Sequence, residues 1–259
     1  MELNDYDFVL FHLLRDNSEY REYYYNMRRI HPERLMILDN SAYEFFVKGE
    51  ELNLDEFKYY IEDLQPDYYI LPDKLMDHDK TIEMVDDFIK KYNIESKNIF
   101  NPKPLAVAQG NNSDDLLSCL LHYKFLGIDY VGIPFHLSFY KGYHKYDDVS
   151  HEFLTTYEEC NDDLLYSMGR VCWMRDHEEF LKHFDKVHLL GSHCPLEKLF
   201  YKDFYSMDTG YPVKLGITNC NIFEEKEKPN IIIDEFLDKE LTENQINTII
   251  NNIKKFKNI

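Results

Sequence analysis

Three aspartates of this chain stand where short apolar runs stop: Asp39 after Met36-Ile-Leu, Asp73 after Tyr69-Ile-Leu-Pro, and Asp208 after Phe204-Tyr-Ser-Met. Gln109-Gly110 ends Leu105-Ala-Val-Ala in the same way, and Gly132 lies inside Tyr130-Val-Gly-Ile-Pro. Two carboxylates at strand ends suit glycosidic chemistry, in which Asp208 or Asp39 attacks the sugar carbon and the other manages the proton of the leaving group. Gln109 offers both a donor and an acceptor to the edge of a planar heterocycle. Tyr43, four residues after Asp39, offers a face on which an aromatic base can stack. Each has a plainer alternative. An aspartate at such a junction often caps the next helix, a glutamine can brace a loop, and in a chain with 21 tyrosines a single ring is commonly core or surface.

The elements that must position these residues follow from the hydrophobic pattern. Runs of four to six apolar residues without helical spacing read as strands buried on both faces, as in parallel sheets, whose carboxyl ends converge on one crevice. Strands are expected at 6–13, 35–39, 68–72, 104–108, 129–133, 187–191 and 204–208. Helical periodicity separates them. Ile82, Val85, Phe88 and Ile89 share one face of 81–91, and Leu116, Leu117, Leu120 and Leu121 share one face of 113–125, with Ser113 as a plausible N-cap. A helical stretch is expected over 177–184, and Pro195 opens another helix. Residues 159–175 fit either a helix or a strand. An amphipathic helix closes the chain at about 242–257, and the acidic, Lys-rich 224–229 reads as a solvated loop. Strand–helix alternation along 259 residues predicts a single α/β domain over 1–259, a (β/α)8 TIM-like barrel rather than a doubly wound sheet.

Composition narrows the function classes. The net charge of −19, from 29 basic and 48 acidic side chains, repels nucleic acid at long range and counts against a protein that mainly grips a duplex. Local basic patches at Arg28-Arg29 with Arg34, or at Lys141 with His144 and Lys145, would still allow a polynucleotide substrate. Five cysteines at 119, 160, 172, 194 and 220 form neither a disulfide framework nor a CxxC pair. His136, His144, His188 and His193 lack metal-ligand spacing, so no metal is expected, and no nucleotide-binding glycine loop is present. Gly169-Arg170 and Arg175 could meet a phosphate, although Arg170 lies in an apolar stretch where a buried ion pair is the simpler role. Without a transmembrane run or a basic leader, the expected location is the cytoplasm, or a host's cytoplasm for a viral gene.

The order of these motifs resembles the tRNA-guanine transglycosylase superfamily: Asp39-Asn-Ser-Ala-Tyr43, Pro72-Asp73, Ala108-Gln109-Gly110, Val131-Gly132-Ile133, His188-Leu-Leu-Gly191 and Met207-Asp208-Thr209, over residues 35 to 217. The resemblance implies a (β/α)8 barrel that exchanges guanine in a polynucleotide for a 7-deazaguanine, with no cofactor. It assigns Asp208 as the nucleophile at C1′ and Asp39 as the general acid/base. Asp73, Gln109 and Gly110 would read the base edge, the Gly132 backbone would support its carbonyl, and Tyr43 would stack on it. The paired glycines of the family's first motif are Ser41-Ala42 here, and no counterpart of its Cys/His zinc subdomain is legible. This stripped-down form is more similar to the phage enzymes that place 7-deazaguanines in DNA. The expected partners are therefore DNA, or tRNA, and a 7-deazaguanine base, with no membrane; a homodimer is compatible. The alternatives are an N-glycoside hydrolase or transferase of free nucleosides or nucleotides, a tRNA-acting enzyme, and an inactive accessory member.

Overall fold

The structure, a computed structural model, describes residues 3–94, 102–135, 139–140, 143, 162–192, 195–201, 205–222 and 239–258. Among these residues the fold is α/β. Seven strands form one sheet in sequence order: β1 Asp7–Leu10, β2 Met36–Asp39, β3 Tyr68–Ile70, β4 Lys103–Val107, β5 Tyr130–Pro134, β6 Lys186–Leu190 and β7 Tyr205–Met207. The pairings from β1 through β5 are all parallel. The interleaved helices are α1 Phe11–Asp16, α2 Ser18–Ile30, α3 Ala42–Lys48, α4 Leu54–Leu64, α5 His78–Tyr92, α6 Ser113–Phe125, α7 Asp162–Asp176, α8 Glu178–Leu181, α9 Tyr211–Ile217 and α10 Glu243–Lys257. A 3-10 turn spans Pro195–Phe200. No described helix is long and apolar enough to cross a membrane.

The chain divides into two compact units. One is built from residues 2–134 and 182–188, the other from 135–181 and 189–259. In the first, β2, β4 and β5 are buried on both faces: Ile37, Leu38, Leu105, Ala106 and Val131 are all at 0% exposure. Buried Phe11 and Phe57 meet edge-on with centroids 5.1 Å apart, and buried Phe88 lies tilted against Phe57 at 6.3 Å. Side chains also meet across the sheet of this unit. The Phe8 ring of β1 stacks on His188 of β6 at 5.4 Å, and Lys186 Nζ donates to Tyr68 Oη at 2.9 Å while lying over the Tyr130 ring. β1 and β6 are five places apart in the strand order, so these contacts require the sheet to curl.

The second unit carries α7, α9, α10 and β7. Here α9 and α10 touch backbone to backbone at Gly216, where an added Cβ would lie 2.7 Å from the Ile249 backbone. Asn252 of α10 is fully buried and fully used: its Nδ2 donates to Cys220 O at 2.9 Å and Pro212 O at 3.3 Å, and its Oδ1 accepts from Ile222 N at 2.9 Å. A Thr242–Gln245 capping box starts α10.

Several boundaries differ from the sequence reading for identifiable reasons. β1 ends at Leu10, and Phe11, His12, Leu13 and Leu14 begin a buried helix rather than continuing the strand to 13. A continuous apolar run carries no periodicity that separates a buried strand from a buried helix. The cap of α6 is Asn112, whose Oδ1 accepts from Asp114 N and Asp115 N, and Ser113 is the first helical residue. Residues 162–176 are helical. Within the expected 177–184 helix only Glu178–Leu181 is α-helical, and Pro195 opens a 3-10 turn. The 224–229 stretch, Lys141, His144, Lys145, His136, His193, Cys160 and Cys194 lie outside the described residues.

Gly216→Ala is expected to destabilise the protein by about 1–3 kcal/mol, because the methyl group must displace backbone rather than a flexible side chain. Urea denaturation of both proteins measures this, and an unchanged midpoint would contradict the close approach of α9 and α10.

Candidate active site

In the first unit the turns after β2, β3 and β4 bring polar side chains into one hydrogen-bonded cluster. β2 ends on half-buried Asp39, followed by buried Asn40 and Ser41. Two successive side-chain turns shape this corner: Asp39 Oδ2 accepts from Ser41 N at 2.8 Å, and Asn40 Oδ1 accepts from Ala42 N at 2.8 Å. Ser41 adopts a left-handed φ of 60°, which costs a non-glycine residue about 1 kcal/mol. Its buried hydroxyl accepts from His12 N at 3.1 Å and pairs with His12 Nδ1 at 3.0 Å. Ser41 is also the N-cap of α3 but makes no side-chain capping bond there.

Asp73 is the centre of the cluster. Asn40 Nδ2 donates to its Oδ1 at 2.6 Å and to Leu71 O at 2.7 Å, and Gln109 Nε2 donates to its Oδ2 at 2.7 Å. Gln109 Oε1 accepts from Met76 N at 3.3 Å, and the Gln109 carbonyl accepts from Cys119 Sγ at 3.3 Å. Burial pushes the Asp73 carboxyl up to about 6, against the two amide hydrogen bonds, which favour the anion. Such a group changes protonation close to neutrality while keeping a fixed position.

The remaining residues of the expected site have distinct roles. Gly110 is obligatory, since a Cβ there would lie 2.1 Å from Asp115 Cβ, whose carboxylate accepts from Asn111 N at 2.7 Å. Gly132 is buried in β5, and its carbonyl accepts from Ala108 N at 3.0 Å, so that oxygen is engaged in the sheet. Tyr43 stands on α3 with 64% of its surface exposed, open to a flat partner. The structure thus brings Asp39, Asp73, Gln109 and Gly110 to the carboxyl ends of β2 through β4, with Gly132 inside the neighbouring β5 and Tyr43 in the first turn of α3.

Asp208 belongs to the second unit. It follows β7, its N–H donates to Leu189 O at 3.2 Å, and its Oδ1 accepts from Gly191 N at 3.0 Å. The N-cap of α9 is Gly210, without a side-chain bond, so Asp208 reaches to the end of β6 instead of capping its own helix. Nearby, Arg170 and Glu197 form an ion pair at 0% exposure on both sides, at 2.6 Å. Burial works against the Arg170 charge, but the attraction and hydrogen bonds of Glu197 outweigh it, and the guanidinium is held more firmly protonated than usual. Arg170 is therefore a buried ion-pair partner, and no phosphate role is needed to explain it.

The strand-end pattern passes over Asn40, His12, Ser192 and Glu197. Asn40 stood beside Asp39 in the same motif, whereas His12 and Glu197 owe their roles to contacts 29 and 27 residues away, for which the sequence carries no local signal. Of the basic patch at 28–34, Arg28 is paired with Asp67 at 3.1 Å and Arg34 with Asp7 at 2.8 Å. Among the described residues no group of three or more His, Cys, Asp or Glu could hold a metal. No model of a known protein family matches this chain, and no curated protein matches it.

Asp73 makes stability depend on pH in an unusual direction. Between about pH 4 and 6 the folded chain keeps a proton that the unfolded chain has released, so this contribution falls as pH rises and its penalty is complete above about pH 6, on the order of 3 kcal/mol. Relative to Asp73→Asn, the wild-type protein should lose roughly 2–3 kcal/mol between pH 4 and 7. Urea titrations of both across that range test it; a difference independent of pH would refute the raised carboxyl.

Proposed function

We propose that the chain is a base-exchanging glycosyltransferase of the guanine transglycosylase type, on a (β/α)8-like frame, that replaces guanine in DNA with a 7-deazaguanine. The observation that carries this reading is the Asp39–Asn40–Asp73–Gln109 corner. Three adjacent parallel strands deliver to their carboxyl ends a general acid/base candidate and a buried carboxylate flanked by amides. Carboxylate and amide edges match the donors and acceptors of a guanine. Asp73 has an oxygen on each amide and further lone pairs for a base N–H, and exposed Tyr43 supplies a stacking face.

In the proposed chemistry a carboxylate oxygen of Asp208 bonds to C1′ as the C1′–N9 bond breaks. The departing guanine takes the electron pair and a proton from the Asp39 carboxyl. Asp39 then accepts the N9 proton of the incoming 7-deazaguanine, whose nitrogen displaces Asp208 and restores the enzyme. A guanine within a duplex must leave the stack for this to occur.

A second reading, an N-glycoside hydrolase or transferase of free nucleosides, is favoured by the charge. The net charge is −19, and Arg28 and Arg34 are already spent on carboxylates, which leaves less cationic surface to hold a polymer.

Asp208→Asn should abolish both base release and covalent trapping on guanine-labelled DNA while leaving the fold intact, and Asp39→Asn should slow exchange at least a hundredfold with binding retained. Release of label from DNA, tRNA and deoxyguanosine, with and without 7-cyano-7-deazaguanine, is the measurement. Normal exchange by Asp208→Asn would remove the nucleophile assignment. Activity on deoxyguanosine alone, insensitive to salt, would move the substrate to the second reading.

A further inference from the structure

We infer that Arg170 is a positioning residue for Asp208, acting through the peptide that joins Leu190 to Gly191. This peptide is held from both sides. Arg170 Nη1 donates to its carbonyl, Leu190 O, at 3.1 Å, and its N–H, on Gly191, donates to Asp208 Oδ1 at 3.0 Å. A cation on the carbonyl of an amide polarises the unit and strengthens its N–H as a donor. The buried charge of α7 thus reaches the carboxylate across a single peptide bond. Arg170 Nη2 also donates to Gly191 O at 2.7 Å, so two consecutive carbonyls fix the turn. Gly191 has a φ of 63°, in the left-handed region that glycine enters without cost.

Arg170 is itself immobilised. Its Nε and Nη2 meet the two oxygens of Glu197 at 2.6 and 2.8 Å, a fork-to-fork pair that sets the plane of the guanidinium. Phe135 lies beneath that plane at 5.1 Å. Glu197 is held in turn by Tyr201 Oη at 2.8 Å and Ser192 Oγ at 3.1 Å, and Thr209, next to Asp208, donates to Ser192 O at 2.7 Å. The segment 190–192 is therefore braced by α7, the 3-10 turn and the residue after Asp208. A carboxylate that attacks carbon through one oxygen gains from having the other anchored by a directed donor. The inference rests on the reading of Asp208 as the nucleophile.

The test uses the full chain. Arg170→Met combined with Glu197→Leu removes both buried charges together, so neither is stranded. Arg170→Lys is the companion variant, keeping the charge but losing the planar fork. Two quantities are read on whichever variant is folded by circular dichroism. The first is hydrogen exchange of the Gly191 amide relative to that of Val187 in the preceding strand β6, with Asp208→Ala as the reference for a lost acceptor. The second is the single-turnover rate of covalent adduct formation with guanine-containing DNA, with its KM. The expected result is a tenfold or greater rise in Gly191 exchange with Val187 unchanged, and a tenfold or greater fall in adduct formation with KM within twofold of wild type. Gly191 exchange and adduct rate both within twofold of wild type would overturn the inference, as would equal rises at Gly191 and Val187. If wild-type protein forms no adduct with any guanine substrate, the base-exchange reading has failed, and the Gly191 exchange still decides whether Arg170 governs the Asp208 contact.

Discussion

A strand covered on both faces leaves a polar side chain nowhere to go until the strand ends. Met36, Ile37 and Leu38, then Tyr69, Ile70 and Leu71, then Leu105 and Ala106 are each buried to within 1% of complete. A charge among them would lose its hydration and find no partner, at a cost of several kcal/mol. The first positions past each run are therefore where Asp39, Asn40, Asp73 and Gln109 occur. Because β1 through β5 run parallel, those positions fall at one edge of the sheet. Burial in the layer dictates where chemistry can be placed, and parallel pairing gathers it.

The two units satisfy buried charge in different ways. Asp73 is met by the neutral donors Asn40 and Gln109, which hold it in place without fully offsetting its burial, so its carboxyl sits at about 6. A group in that condition can gain or lose a proton without a rearrangement of its neighbours, which suits recognition of a base edge. Arg170 is met by a full opposite charge in matched geometry, which holds its guanidinium more firmly protonated than usual. It suits rigid support. The contrast between adjustable and fixed charge underlies the division proposed here between base recognition and positioning of the nucleophile.

Backbone conformation makes both arrangements possible. Ser41 accepts the strain of a left-handed φ and recovers it through two contacts of its hydroxyl with buried His12. Gly191 reaches a similar φ without strain, and Gly110 allows Asp115 to approach closer than any side chain would permit. Each lies within three residues of a strand end. The turns carry the specificity of the structure and the strands carry its stability.

The sequence by itself determined the alternation of strands and helices, six of the seven strand positions to within two residues, the closing helix, and which polar residues stand at strand ends. These are local properties, set by apolar run length and helical period over a few neighbours. It did not determine that residues 11–14 turn into a helix, since an unbroken apolar run has no period to read. Nor could it show that Asn40 and Gln109 share Asp73, or that Glu197 rather than any of 47 other acids pairs with Arg170. Those partnerships join residues 27 to 36 positions apart, and only the packing of separate elements brings the side chains within reach. Pattern decides which groups are placed at the strand ends; tertiary structure decides what each group finds there.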